Sequence, residues 1–148
     1  MKEFLAYWTE DNISLVRFVG GRAKYHGSRR FPKDLAPGDR LWIVNVKAKK
    51  LRLLAPIEIS SLQSRNSIEK LLRTSNLYDA PQYVVAKSNG ELIKEVDISS
   101  IVDRIIVASK QRALIRNKRT GLIDPQQFRT ILEITAQSGE LLASLWNS

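Results

Sequence analysis

The sequence predicts an α+β fold: a compact β-barrel with short peripheral helices and one helix at the C-terminus. Strand-like runs recur at short intervals, turn residues separate them, and long helical patterns are few. The 148 residues suffice for one domain with a real core and fall short of two, so a single domain over 1–148 is expected. Apolar residues make up 43% and charged residues 26%, the balance of a globular chain and not of a disordered one.

Each element has its own signal. Phe4 to Trp8 is apolar and aromatic, suited to an opening strand. Ile13 to Val19 reads either as a second strand or as the lead-in to a helix. Gly20-Gly21 breaks that pattern, and Arg22 to Lys33 is polar, basic and glycine-containing, as an exposed loop would be. Pro37-Gly38-Asp39 is a turn, because proline presets one backbone angle and glycine permits a positive one. Leu41 to Val46 is β-branched and aromatic, suited to a central strand. After a charged turn over Lys47 to Lys50, Leu51 to Ile59 returns as its hairpin partner, with Pro56 marking a bulge or an edge.

Ser67 to Arg73 carries Ile68, Leu71 and Leu72 at helical spacing. Tyr83 to Ala86 and Glu91 to Ile98 flank Ser88-Asn89-Gly90, and an Asn-Gly pair between apolar runs predicts a hairpin. Ile101 to Ala108 is mostly β-branched, and its type stays open between a helical start after Ser99-Ser100 and a strand by its end. Asp124-Pro125 starts a helix, and Thr135 caps a last one on which Leu141, Leu142, Leu145 and Trp146 share a face. Neither an internal repeat nor a linker-like tract interrupts this order.

Composition narrows function. Without cysteine there is no disulfide framework, thiol nucleophile or cysteine-ligated zinc. No apolar run approaches the roughly 20 residues of a membrane span, and the first ten residues lack a signal-peptide core, so a cytoplasmic protein with no membrane partner is expected.

The formal net charge is +9, and its distribution says more than its size. Eleven basic residues lie between Arg17 and Arg52 against two acids, Asp34 and Asp39; the rest of the chain is neutral, with thirteen of each. A second cluster runs Lys110, Arg112, Arg116, Lys118, Arg119 without an acid. Clustered Lys and Arg on a neutral body are the footprint of a nucleic-acid binder, because neutralising phosphates releases condensed counterions. The two basic segments are expected to flank one groove.

Several segments together resemble the PUA-like superfamily: Tyr7-Trp8, the basic loop, PGDRLWIV from Pro37 to Val44, and RLLAPIEIS from Arg52 to Ser60. Their order is most similar to the EVE type, a relative of the YTH, ASCH and SRA readers. The likeness covers about the first 60 residues well and the APQYVVA strand and last helix loosely. Where the EVE pattern has a Trp-containing VRN-like motif, this chain has GGRAKYHGSRR from Gly20 to Arg30.

The resemblance implies a bent, mixed β-barrel whose mouth holds a base, often a modified one, in an aromatic cage. Such a cage needs flat side chains to stack on the base and polar groups for its edge. Trp8, Trp42 and Tyr25 are the candidate walls, with Asn45 and Ser60 for the edge. A tryptophan inside an apolar strand serves equally well as core. Arg22, Lys24, Arg29, Arg30 and Lys33 would grip phosphates on one side, and Lys110, Arg112, Arg116, Lys118 and Arg119 on the other.

Catalysis is disfavoured. A restriction-type nuclease needs an acid two residues before a strand lysine to hold magnesium; here the strand reads Val85-Ala86-Lys87, and Glu91 and Lys94 have the wrong spacing. His26 is the sole histidine and reads as a polar contact. A Gly-rich phosphate loop and a nucleophile elbow are both lacking. The sequence thus predicts a non-enzymatic nucleic-acid-binding domain, without cofactor or metal, that reads a modified base in a defence or restriction setting. DNA is favoured over RNA, with a separate nuclease or other effector as partner. An RNA-binding module without base flipping is the alternative, and a nuclease stands behind it.

Overall fold

The computed structural model describes residues 1–148. The opening strand β1 (Glu3–Tyr7) is interior: it pairs in parallel with β3 (Arg40–Lys47), Glu3 opposite Arg40 and Tyr7 opposite Val44, and antiparallel with β9 (Leu132–Ile134). Covered on both faces, it reads as the unbroken apolar run Phe4-Leu5-Ala6, all three fully buried. The full sheet runs β2-β5-β4-β3-β1-β9-β7-β8, with β6 also on β4. It curls into a half-barrel of mixed strands with short helices around it.

Ile13 to Phe18 belongs to a helix that Val19 caps, which settles the open alternative. Helix α1 (Glu10–Phe18) begins where the Thr9 hydroxyl accepts from the Asn12 amide at 3.2 Å. Glu10 and Asp11 sit in its first turn and Arg17 in its last, each complementing the helix dipole. It ends at Gly20 and Gly21, whose φ of 123° and 76° β-carbons disfavour.

The segment 22–33 corrects the expectation of an exposed loop. Residues Tyr25–Ser28 form β2, antiparallel to β5 (Gln82–Ala86), and Ala23, Tyr25 and His26 are buried. Charge frequency misled here, because the charges lie on either side of β2, at Arg22, Lys24, Arg29 and Arg30, while the strand's own residues Tyr25 and His26 pack inward.

The ribbon of β3 and β4 (Lys50–Ser64) organises the sheet. Two register shifts bend β4: Leu54 is the extra residue against β3 and Ser60 against β5. Pro56 lies opposite Trp42, between the residues of β4 that pair with β6 (Val96–Asp97) and those that pair with β5. That stretch needs no donor on its second edge, which is how proline is tolerated inside a long strand.

The expected hairpin across Asn89-Gly90 does not form. The turn is real, with Gly90 at φ 69°, but both edges of β5 are already taken by β2 and β4, and the returning chain pairs instead with β4 as β6. Sequence signals a turn; competition for edges decides what it joins.

Helix α2 (Arg65–Leu72) is capped by Ser64, whose hydroxyl accepts from Ser67 N. A 3-10 turn over Ser99–Arg104 leads into β7 (Ile106–Val107), which pairs with β8 (Arg112–Ala113) and β9. A second 3-10 turn, Pro125–Arg129, starts on the Asp124 cap, and helix α3 (Ala136–Trp146) on the Thr135 cap. Leu142 and Trp146 are buried, and Leu141 and Leu145 partly so. Helix α3 packs so closely on β1 that a β-carbon at Gly139 would overlap the Glu3 side chain.

A core of 30 buried residues runs from Phe4 to Trp146; a second core of five, Tyr25, Ile68, Leu77, Tyr83 and Val85, lies under α2. No helix is long and apolar enough to cross a membrane.

Candidate nucleic-acid interface

The two tryptophans expected as cage walls are interior, and that expectation is corrected. Trp8 is fully buried, and its indole N–H donates to His26 Nδ1 at 2.9 Å. Trp42 is 1% exposed; its N–H donates to Glu3 Oε1 at 2.8 Å, and the Arg40 guanidinium covers its ring at 4.7 Å. Arg40 in turn clamps Glu3 through two bonds of 2.9 and 3.0 Å. A buried indole donor needs a partner, and here each partner is a protein group, so neither ring has a face left for a base.

Asn45 is likewise committed. Its amide donates to the Trp8 carbonyl at 2.7 Å and its oxygen accepts from Arg52 at 2.7 Å. That guanidinium also meets Glu10 and Glu95, tying α1 to the sheet; its Nε is the one buried side-chain polar atom without a partner. Ser60 is exposed on the β4 bulge and donates to the Val85 carbonyl at 3.1 Å.

Tyr25 is different. It is buried within a cluster of aromatic residues, 5.0 Å from the Tyr78 ring and 5.8 Å from Tyr83, and its oxygen accepts from the Tyr78 amide. Burial raises its pKa above the usual 10. Yet part of it reaches a cavity of about 180 Å³ whose lining also includes Arg22, Lys24, Val19, Leu72 and Asn76. That volume equals about six water molecules at ~30 Å³ each, the scale of one base-sized ring. Arg22 is held at the rim by donating to the Gly90 carbonyl at 2.8 Å.

Behind this cavity His26 joins the two cores. An indole N–H can only donate, so His26 Nδ1 must be unprotonated and the ring proton sits on Nε2. The Tyr78 hydroxyl accepts from the Gly27 amide at 2.6 Å and lies 2.9 Å from the same Nδ1. Burial pushes the His26 pKa down to about 3, and the Tyr78 pKa well above 10. Both groups are neutral at pH 7. The spacing of Trp8, His26 and Tyr78 in sequence gives no sign of this meeting.

On the other flank of β2, Arg30, Phe31, Pro32 and Lys33 face Thr130 and Ile131 across an open hollow of about 580 Å³. The half-buried Phe31 meets His26 edge-on at 6.2 Å. None of Arg22, Lys24, Arg29, Arg30 and Lys33 has a carboxylate within 4 Å, whereas Arg17, Arg40, Lys50 and Arg52 of the same basic window are all paired. The charge excess of the window is therefore concentrated on β2 and its flanks, and on the β3–β4 turn.

The second basic segment does not complete this groove. Arg116 lines a separate hollow beside Lys49 and Lys50. Its guanidinium is spent on Asp103 at 2.8 Å and the Gly121 carbonyl at 2.8 Å, a structural tie where a phosphate contact was expected. Lys110, Arg112, Lys118 and Arg119 are exposed and unpaired. Groups of three or more metal-ligating side chains are lacking.

No family model matches the sequence, and no curated protein matches it. Solved structures do. The ASCH protein of Zymomonas mobilis superposes with a TM-score of 0.57 at 11% identity, over 97% of this chain and 95% of that one. A tyrosine-to-phenylalanine variant of it gives 0.60 at 11% identity, over 98% and 99%. A serine-to-alanine variant gives 0.58 at 10%, over 97% and 96%. The chain therefore has the fold of the PUA-like barrels, with ASCH structures among its neighbours across nearly its whole length.

Proposed function

We propose that this chain is a non-catalytic nucleic-acid-binding domain that takes one base into the Tyr25 cavity and grips the adjoining backbone along β2. The observation that carries this is the set of five cations without carboxylate partners flanking β2, two of which, Arg22 and Lys24, line a base-sized cavity with Tyr25. Val19, Leu72 and Leu77 supply apolar contact, and Thr74 and Asn76 supply polar groups for the edge of a base. Tyr25 offers an edge and not a stacking face, since its ring is packed against Tyr78 and Tyr83. Arg30 and Lys33 line the Phe31 hollow, where the backbone of a bound strand would run, and Arg29 precedes them in the chain.

The finer reading is an EVE-like reader of modified DNA that marks sites for a separate nuclease. It rests on the order of sequence segments and on the base-sized cavity at Tyr25. An RNA-binding module working by charge alone is the second reading, favoured by the lack of an exposed aromatic cage.

Anisotropy titrations of matched DNA and RNA oligonucleotides, with and without modified cytosine and adenine, separate them. A gain of tenfold or more for one modification, about 1.4 kcal/mol, that disappears in Arg22→Gln/Lys24→Gln supports the reader. Equal, steeply salt-dependent binding to every oligonucleotide supports the charge module. Cleavage of any oligonucleotide by the purified chain would overturn the non-catalytic reading.

A further inference from the structure

Two turns meet at the end of the β3–β4 ribbon remote from β2. The β3–β4 connection is a two-residue turn, Lys47 opposite Lys50, in which Ala48 and Lys49 both have left-handed backbones, φ 52° and 68°. Such turns ordinarily take Asn or Gly, whose backbones accept that conformation. Here a lysine occupies a position that its backbone disfavours. Facing it, the Asn117–Gly121 turn presents Lys118 and Arg119, and the Asn117 side chain holds it by accepting from the Arg119 and Thr120 amides at 2.9 and 3.2 Å.

Between the turns lies a hollow of about 280 Å³ lined by Lys49, Lys50, Ser99, Arg116, Leu122 and Ile123 among others. Ser99 Oγ accepts from the Leu51 amide at 2.9 Å, and its hydroxyl also bonds the Asp97 carboxylate, so Ser99 fixes the wall of the hollow. The nearby acids, Asp97 and Asp103, are taken by Lys50 at 3.4 Å and Arg116 at 2.8 Å. Lys47, Lys49, Lys118 and Arg119 remain uncompensated, with no carboxylate within 4 Å.

We propose that this hollow is a second phosphate-binding site, which holds the backbone of the same nucleic acid that β2 binds. It rests on the nucleic-acid reading above and adds a footprint to it. Through β5, Tyr25 lies level with Ser61 of β4, and the chain from Ser61 to Lys50 spans roughly 36 Å at ~3.3 Å per residue. The bulges at Leu54 and Ser60 shorten that distance. About ten base pairs, at ~3.4 Å each, reach from one site to the other.

The test compares binding of a 6-base-pair and a 20-base-pair hairpin, or of 3- and 20-nucleotide single strands, over a salt series. Lys47→Gln/Lys49→Gln weakens the long ligand tenfold or more and lowers its salt slope by about 2, at ~0.9 per duplex phosphate contact, while the short ligand is unaffected. Lys47→Arg/Lys49→Arg and Ala48→Gly bind as the parent chain does, which assigns the loss to charge and not to the shape of the turn. Unchanged long-ligand affinity and slope in the Gln pair would overturn the second site while leaving the β2 site standing. Absence of binding to either length by the parent chain would overturn both.

Discussion

The barrel core and the small core under α2 are built by different physics. The first is 30 residues of mostly aliphatic side chains, with Leu53, Leu54, Ala55, Ile57 and Ile59 of β4 all fully buried. Its cohesion comes from apolar area removed from water. The second is five residues, two of them tyrosines, stitched by hydroxyls and one guanidinium. Tyr83 OH accepts from Arg65 at 2.9 Å and the Ala80 amide at 3.0 Å, and donates to the Tyr78 carbonyl at 2.6 Å. The contrast separates what holds the fold from what shapes the site: only the polar core borders the Tyr25 cavity.

A cut in the aliphatic core should give the largest loss of stability and the least specific effect on binding. Ile57→Ala lowers unfolding free energy by about 2–5 kcal/mol, read from urea denaturation, with affinity per folded molecule unchanged. A change in affinity would show that the two cores are coupled.

Acid strikes the junction between the cores. The native His26 pKa is about 3 against 6.5 in the unfolded chain, so across that window the unfolded state binds a proton that the native state refuses. The stabilisation is fully present above pH 6.5 and erodes as pH falls toward 3, by up to about 1.4 kcal/mol per pH unit. Denaturation midpoints between pH 7 and 4 should show this slope, and His26→Gln should flatten it. An equal slope in both proteins would mean that His26 is protonated without penalty.

Tyr83→Phe sharpens the comparison at smaller scale. It orphans the Ala80 amide and takes one donor from the Tyr78 carbonyl and one acceptor from Arg65, costing about 1–3 kcal/mol. Because Tyr25 packs on Tyr83, binding of a cavity-dependent ligand should weaken as well, in the same titration that leaves Ile57→Ala unaffected.

The smallest stability effect belongs to the surface. Arg29→Glu/Arg30→Glu should leave stability within about 0.5 kcal/mol, while nucleic-acid affinity falls for all sequences alike and the salt slope drops by about 2. Loss of stability instead would assign these exposed arginines a structural role.

Much of the fold was legible. The strand β1, the β3–β4 ribbon, Pro56 at a break in pairing, and the caps at Thr135 and Asp124 all follow from local preferences and side-chain pattern, whereas the stretch after Ser99-Ser100 read as open between helix and strand and holds a 3-10 turn followed by a short strand. The hairpin at Asn89-Gly90 was misread because edge availability is a property of the whole sheet. The site was less legible still. Trp8 and Trp42 have the residue type of a cage, but type does not reveal that His26 and Glu3 wait to accept their N–H groups. Leu72, Asn76 and Leu77 carry no motif, and only the end of α2 brings them to Tyr25.

By itself the sequence determined where the chain turns, which runs are apolar enough to be strands, and that the charge excess lies between Arg17 and Arg52. These are local or additive properties, readable one window at a time. The tertiary structure decided which of those cations are neutralised by acids distant in the chain, which aromatics are sealed by a hydrogen-bond partner, and which strand edges remain open. Each depends on contacts between residues tens of positions apart, 18 for Trp8 with His26 and 39 for Trp42 with Glu3, and only folding brings such residues together.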